Sequence, residues 1–172
     1  MRVIVATILL FLTTAALADN SGERNAQGNT STPRAAEIID RLYAFGRFQL
    51  GLLESADLKG NQEVRSLATL RSEEAVKRDK ALQQIQQAIG TEPSSDKTRS
   101  AAAALAGPDD SDGPAYVRQF YAVQVGEYEK TITLLERYLR APDNQALGAF
   151  AREQLPVLRS QLNDTARSMA DK

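Results

Sequence analysis

Apolar residues recur along most of the chain at steps of three, four or seven positions, which is the spacing of one face of an α-helix. No stretch alternates strictly between apolar and polar residues, as a half-buried strand would. The pattern predicts four helices, of which the first runs from the Thr32–Pro33 pair to a stop at Lys59–Asn61, and the others cover Gln62–Ile89, Pro114–Arg140 and Gln145–Ala170. Pro156 falls inside the last helix and is expected to kink it. The sequence therefore predicts an all-α fold.

A segment rich in serine, aspartate, glycine and proline separates the second predicted helix from the third. It covers Thr91–Gly113 and contains an alanine-rich run, Lys97–Ala106, that is expected to form a short helix. Because the other two connections are short, the helices are expected to form two antiparallel pairs in a four-helix bundle. The long middle linker fits the crossover of a ferritin-like four-helix bundle, which we expect; the alternative is a simple up-down-up-down bundle.

The N-terminus has the three parts of a secretory signal peptide. Arg2 gives a positive start, a short apolar run follows, and an Ala-Leu-Ala sequence ends at Ala18. The apolar run is shorter than the roughly 20 residues of a membrane-spanning helix. The sequence predicts cleavage after Ala18, and the alternative is an uncleaved anchor. The expected regions are a signal peptide over 1–18, a disordered arm over 19–33 and the helical domain over 34–172.

Composition removes most enzyme chemistry. The chain has no cysteine, histidine or tryptophan, which excludes thiolate nucleophiles, Ser-His-Asp triads and metal sites built on imidazole or thiolate ligands. Carboxylates are the remaining metal ligands, and those in the middle of the predicted helices are Glu73, Glu74, Glu127 and Glu129. Such residues are expected to lie mostly on solvated faces. A formal net charge of −1 with dispersed basic residues argues against a nucleic-acid partner.

Several polar residues interrupt the apolar faces of the predicted helices. They are Arg71 and Arg78 on either side of Ala75 in the second helix, Gln124 and Tyr128 in the third, and Gln154 and Gln161 in the fourth. A buried polar group costs about 1–3 kcal/mol unless it is hydrogen-bonded, so several at similar depth indicate a polar layer across the bundle. The alternative is that these residues lie at the solvent edge, because the helical repeat shifts their phase.

Three stretches of the chain follow a pattern seen in one bacterial family. They are Glu63–Ala68, the segment from Tyr116 to Glu136, and Leu155–Leu162 with its Leu-Pro pair. On these stretches, which together span roughly residues 36 to 170, the chain resembles the bacterial domain-of-unknown-function family 4142. The resemblance implies a ferritin-like fold and a protein that is exported to the periplasm or envelope.

The chain departs from this family pattern at the positions of the family's histidines. Those three positions fall on Ala75, Tyr128 and Gln161, the acids beside the first two fall on Glu74 and Glu127, and a common first-helix glutamate falls near Arg47 or Gln49. Alanine, tyrosine and glutamine cannot replace imidazole nitrogens as metal ligands. The resemblance therefore implies the fold and the compartment and argues against a metal.

The candidate site is a polar layer in the core rather than a catalytic or metal centre. Its members are Ala75, Gln124, Glu127, Tyr128 and Gln161. We expect Tyr128 and Gln161 to face the interior and to form a hydrogen bond, because a phenol fills the space of an imidazole and an amide can pair with its hydroxyl. The sequence predicts no catalytic residue, no cofactor and no metal ligand.

These features predict an exported helical-bundle protein of the periplasm or envelope that is not an enzyme. It is expected to act through its surface or a pocket on an unknown protein or envelope component, with no nucleic acid and no transmembrane span in the mature chain. One alternative is a ferritin-like protein that binds metal through carboxylates alone. Another is a small-ligand carrier that uses the polar layer.

Overall fold

The computed structural model of the chain describes residues 32–58, 61–90 and 113–171. Within these ranges the chain forms no strand and four helices, which are α1 (Ala35–Leu58), α2 (Gln62–Ile89), α3 (Pro114–Tyr138) and α4 (Gln145–Ala170). The predicted all-α four-helix bundle is confirmed. The bounds of α2 and α4 are those predicted, whereas α1 begins two residues later and α3 ends two residues earlier than the pattern indicated.

Several sequence predictions lie outside the described residues. These are the signal peptide over 1–18 with its cleavage after Ala18, the arm as far as residue 31, and the short helix over Lys97–Ala106. They stay predictions. Among the helices that the structure describes, none has both the length and the apolar character that crossing a bilayer requires.

Asparagine and glycine set several helix ends. The Asn61 side chain accepts hydrogen bonds from the first backbone N–H groups of α2 at 3.1 and 3.3 Å and so caps that helix. Gly90 ends α2 in the left-handed region with φ 72°, which glycine adopts without the steric cost of a Cβ. Asn144 caps α4 by accepting from the Leu147 N–H at 2.9 Å. Because these signals are local, the pattern of the sequence predicts the ends of both helices.

The first turn of α1 is capped by a residue from a distant part of the sequence. The carboxylate of Asp143, in the turn between α3 and α4, accepts from the Ala35 N–H at 3.0 and 3.2 Å. A carboxylate at this place also meets the positive end of the helix dipole. Tyr138 holds the same turn, since its hydroxyl accepts from the Asn144 N–H at 3.2 Å. The hairpin of α3 and α4 is thereby fixed to the start of α1.

Contacts between helices give their directions. α1 runs antiparallel to α2, because Tyr43 near its start donates to Gln86 near the end of α2 at 2.9 Å. α1 also runs antiparallel to α3, because Ser55 near its end lies 3.1 Å from the Tyr116 hydroxyl near the start of α3. Therefore α2 and α3 point the same way, and α2 ends at the opposite end of the bundle from the start of α3. This order differs from the up-down-up-down alternative.

The apolar faces of the helices meet in one core. Its largest fully buried side chains are Ile38, Ile39, Leu42, Phe45, Leu52, Leu82, Tyr116, Phe120, Tyr128, Leu135, Tyr138 and Leu147. Burial of each such side chain contributes about 1.5–3 kcal/mol. The Phe45 ring meets the Tyr128 ring edge to face, with 5.1 Å between the ring centroids, and stacks on the Phe48 ring, with 6.5 Å between the centroids. This aromatic centre adjoins the polar residues that form the candidate site.

Candidate functional site

Polar side chains from all four helices converge inside the core. We define the interior polar cluster as Gln49 of α1, Arg71, Glu74 and Arg78 of α2, Gln124 and Tyr128 of α3, and Gln161 of α4. All of them except Glu74 are less than one-tenth exposed. Five of the six polar residues that the sequence pattern placed on the apolar faces are therefore buried, and the solvent-edge alternative is wrong for them. The sixth, Gln154, is half-buried.

The helical register directs these residues inward. Gln49 stands four positions after the fully buried Phe45, on the same face of α1. Arg71 and Arg78 stand four positions before and three after Ala75, which is itself fully buried. The methyl group of Ala75 is small, so two long side chains fit on one face of α2. Residues at these steps share a helix face, and in both helices that face packs against the core.

Many polar atoms of the cluster lack a hydrogen bond. We call unpaired atoms those atoms of the cluster that are buried and have no hydrogen-bond partner among the described residues; they are Gln49 Nε2 and Oε1, Arg71 Nε, Arg78 Nε and Nη2, Gln124 Oε1 and the Tyr128 hydroxyl. Outside the cluster, Asp79 Oδ1 is also buried without such a partner. A buried polar atom in this state costs about 1–3 kcal/mol, and most buried polar groups in folded proteins are paired. Most of the unpaired atoms are donors, so the cluster is suited to a partner that supplies acceptors.

Glu74 connects α2 with α4. Its Oε2 atom accepts from Arg71 Nη1 at 2.9 Å and from Gln161 Nε2 at 2.6 Å. The Arg71 side chain is 6% exposed and that of Glu74 is 33% exposed, so the ion pair extends from the core towards the surface. The predicted hydrogen bond between Tyr128 and Gln161 is wrong. The amide of Gln161 donates to Glu74 instead, because a carboxylate is a stronger acceptor than a phenol.

Tyr128 is fully buried, and its hydroxyl is one of the unpaired atoms. The Gln49 amide lies beside this hydroxyl, but the two do not form a hydrogen bond of ordinary geometry. Burial raises the pKa of Tyr128 to about 12, against the opposing effect of the positive charges of Arg71 and Arg78. The hydroxyl therefore keeps its proton at neutral pH and can donate a hydrogen bond.

Arg78 places a guanidinium group inside the core. Its Cζ atom lies 4.9 Å from the centroid of the Phe45 ring, which is a cation–π contact. Two of its nitrogens, Nε and Nη2, are unpaired atoms. Burial lowers the pKa of Arg78, and the charges of Asp79 and Glu74 act in the opposite direction. The Phe45 ring thus lies against this guanidinium, and no acidic side chain accepts from its Nε or Nη2 among the described residues.

Glu127 lies at the edge of the bundle and not in the interior polar cluster. Its carboxylate accepts from Arg41 Nη2 at 2.7 Å and from Lys130 Nζ at 2.8 Å. Arg41 also donates to Thr131 Oγ1 at 3.1 Å. Burial alone would raise the pKa of Glu127, but hydrogen bonds from Lys130 and Arg41 outweigh it and hold that pKa below its usual value. Glu127 therefore fixes α3 against α1.

Asp79, next to Arg78 in the sequence, packs against α1. A Cβ on Gly46 would lie 2.5 Å from Asp79 Oδ2, so any other residue at position 46 would force the Asp79 carboxylate to shift. Burial raises the pKa of Asp79 to about 6, although the charges of Arg78 and Arg47 lower it. The carboxylate is therefore charged at neutral pH and takes up a proton in mild acid.

The change Asp79→Asn is expected to stabilise the protein at neutral pH and to matter little in acid. The folded pKa of about 6 exceeds the ordinary value of 3.8, so the folded chain binds this proton more tightly than the unfolded chain. The resulting stability is fully present below pH 3.8 and is lost as the pH rises through 6. Near pH 8 the variant should gain about 1–2 kcal/mol in the free energy of unfolding, a figure reduced for partial exposure of the carboxylate.

Urea unfolding between about pH 4 and pH 8 measures this difference. Asn163→Ala, at an exposed position of α4 whose side chain does not titrate, is the control and should change the free energy of unfolding equally at both ends of the pH range. A gain from Asp79→Asn that is equal at both ends of the pH range would contradict the raised pKa of Asp79.

Among the residues that the structure describes, the acidic side chains do not assemble into a metal centre. In the described parts of the chain, no three of them lie close enough together to hold a metal ion. Glu74 and Glu127 each bind an arginine, and Glu73 and Glu129 are exposed. The two buried arginines of α2 would also repel a cation from the interior polar cluster.

Comparisons with known proteins place the chain in a family. Neither the curated proteins nor the solved structures give a match to it. The family described as a domain of unknown function (DUF4142) has a model that matches residues 20–168. This match covers α1, α2 and α3 completely and nearly all of α4. The chain therefore belongs to the DUF4142 family.

Proposed function

We propose that the chain is an exported, non-catalytic binding protein of the periplasm or envelope, and that it carries a small ligand inside a ferritin-like bundle. The observation that carries this proposal is the set of unpaired atoms in the interior polar cluster. Apolar residues at these positions would remove a cost of about 1–3 kcal/mol for each atom. A ligand that forms hydrogen bonds with these atoms would offset this cost, which explains why polar residues occupy these buried positions.

The helix directions support the ferritin-like part of the proposal. The contacts between Tyr43 and Gln86 and between Ser55 and Tyr116 make α2 and α3 point the same way. The chain between Gly90 and Gly113 therefore joins opposite ends of the bundle. Ferritin-like folds have one long crossover of this kind.

The N-terminal sequence supports export. Arg2, the apolar run after it and the small residues that end at Ala18 are the parts of a cleavable signal. A bacterial periplasm suits the chain because exported domains elsewhere more often rely on disulfides, and this sequence contains no cysteine.

The chemistry of the interior polar cluster supports binding rather than catalysis. A general acid or base works best when its pKa lies near the working pH. The hydroxyl of Tyr128 has a pKa of about 12, and arginine stays protonated. Glu74 is held by Arg71 and Gln161. These groups are suited to fixed hydrogen bonds and fixed charges, as in a carrier.

Exposed apolar side chains give weaker support to action through the surface. The large ones among the described residues are Leu50, Leu70, Val76 and Val157, which are 42–48% exposed. They are distributed over α1, α2 and α4. Scattered apolar residues of this kind are ordinary on protein surfaces, so the interior polar cluster is the stronger candidate.

Native mass spectrometry of the protein, purified gently from the periplasmic fraction, tests the proposal. We expect a chain that begins at Asp19 and carries one small molecule, which denaturation releases. The variant Gln49→Leu should retain less of it, because leucine fills the space of the amide without its hydrogen bonds. Gln83→Leu, at an exposed position of α2, is the matched control. A ligand-free chain that is recovered with a protein partner would contradict the carrier and favour surface binding.

A further inference from the structure

We infer that the interior polar cluster binds a small carboxylate anion, held by one edge of the Arg78 guanidinium and by the Gln49 amide and the Tyr128 hydroxyl. The inference rests on the proposed function, since it gives the chemical class of the carried ligand. Three features of the cluster support it: the geometry of the arginine edge, the neutral donors beside it, and the charge of the surrounding core.

The unpaired edge of Arg78 has the geometry that a carboxylate requires. Nε and Nη2 lie side by side in the guanidinium plane and can donate to both oxygens of one carboxylate. Both of these Arg78 nitrogens are buried without a hydrogen-bond partner among the described residues. The Phe45 ring, 4.9 Å from Cζ, supports the flat face of the same group. The neighbouring Asp79 forms no hydrogen bond with either nitrogen of this edge.

Two neutral donors lie near this arginine edge. The Phe45 ring contacts both the guanidinium of Arg78, at 4.9 Å from Cζ, and the ring of Tyr128, at 5.1 Å between centroids, and the charge of Arg78 acts on the Tyr128 hydroxyl. The Tyr128 hydroxyl and Gln49 Nε2 are both unpaired atoms, and the amide lies beside the hydroxyl. An anion on the arginine edge would therefore find further donors in the same part of the core.

The charge of the core favours one negative charge. Arg71 is neutralised by Glu74 at 2.9 Å. Arg78 has no such pair within the described residues, and the charge of the nearby Asp79 gives it partial compensation only, because no hydrogen bond joins that carboxylate to Nε or Nη2. A buried charge is costly without a partner. A monoanion in contact with Nε and Nη2 would compensate Arg78 directly, whereas the guanidinium would repel a cation.

Isothermal titration calorimetry of the full chain, dialysed into chloride buffer, tests the inference. Sodium formate and sodium acetate are the probes, and sodium sulfate at equal ionic strength is the comparison. We expect saturable binding of one carboxylate per chain and no saturable binding of sulfate. Arg78→Gln should weaken the affinity roughly 10- to 100-fold, because the charged hydrogen bonds are lost. Arg118→Gln, at an exposed position of α3, should leave it unchanged.

Two further variants decide the question if Arg78→Gln does not fold. Tyr128→Phe and Gln49→Leu each remove a neutral donor and should weaken carboxylate binding roughly 2- to 10-fold. Unchanged affinity in both, absence of saturable binding, or equal binding of sulfate would overturn the inference. A neutral or cationic molecule found by native mass spectrometry would overturn it while leaving the carrier function intact. Carboxylate binding by a chain that carries nothing in the periplasm would support the site and contradict the proposed function.

Discussion

Phe45→Ala is expected to lower the free energy of unfolding by about 3–5 kcal/mol. The ring is fully buried and contacts Tyr128 at 5.1 Å, Phe48 at 6.5 Å and the guanidinium of Arg78 at 4.9 Å. Alanine would remove this apolar surface and leave a cavity beside a buried positive charge. Arg78 would then lose the aromatic face that orients it, which adds to the loss. Urea unfolding monitored by circular dichroism measures the effect.

Two variants separate the contributions of the Phe45 ring. Phe45→Leu keeps most of the apolar volume but removes the contact with the cation, and should cost about 1–2 kcal/mol. Leu50→Ala, on the same helix at a position that is 42% exposed, should cost about 0.5 kcal/mol. Equal losses from alanine at positions 45 and 50 would be incompatible with a central place for Phe45.

Glu74→Ala is expected to cost about 2–3 kcal/mol and to loosen α4 from α2. The change would leave the guanidinium of Arg71 without its ion partner, and the Arg71 side chain is only 6% exposed. It would also remove the carboxylate that accepts the hydrogen bond from Gln161. Loss of one member of a buried ion pair costs about 3–5 kcal/mol. The smaller figure applies because the side chain of Glu74 is 33% exposed and partly solvated.

Urea unfolding and amide hydrogen exchange of α4 measure the effect of Glu74→Ala. Glu73→Ala, at the neighbouring exposed position, should be close to neutral. Combining Glu74→Ala with Arg71→Met should recover part of the loss, since the unpaired charge is then absent. Strict additivity in this double-mutant cycle would show that Glu74 and Arg71 are not coupled.

The helices could be predicted from the sequence where their ends depend on local signals. Asn61, Gly90 and Asn144 act within one turn of their own helices, so the bounds of α2 and α4 follow from the residues there. The start of α1 could not be found in this way. Its first N–H is bonded to Asp143, which is 108 positions away in the sequence.

The candidate site could be predicted only in part. Gln124, Tyr128 and Gln161 are buried as their stripes indicated. The sequence pattern does not identify Gln49 as a core residue, although Gln49 lies between Phe45 and Leu52, two apolar residues of α1 that stand seven positions apart and are both fully buried. The hydrogen-bond partners of these side chains could not be predicted from the sequence, because they depend on which side chains of neighbouring helices come within reach of one another.

The Asp143 cap on α1 also sets an order on the completion of the fold. When the chain enters its folding compartment N-terminus first, Ala35 arrives 108 residues before Asp143. During that interval α1 and α2 can meet as a hairpin, but the first turn of α1 has no carboxylate cap and two apolar faces have no cover. The N-terminal half of the domain therefore completes its fold only after the hairpin of α3 and α4 has formed. A chain that ends before residue 143 lacks the carboxylate that caps the first turn of α1.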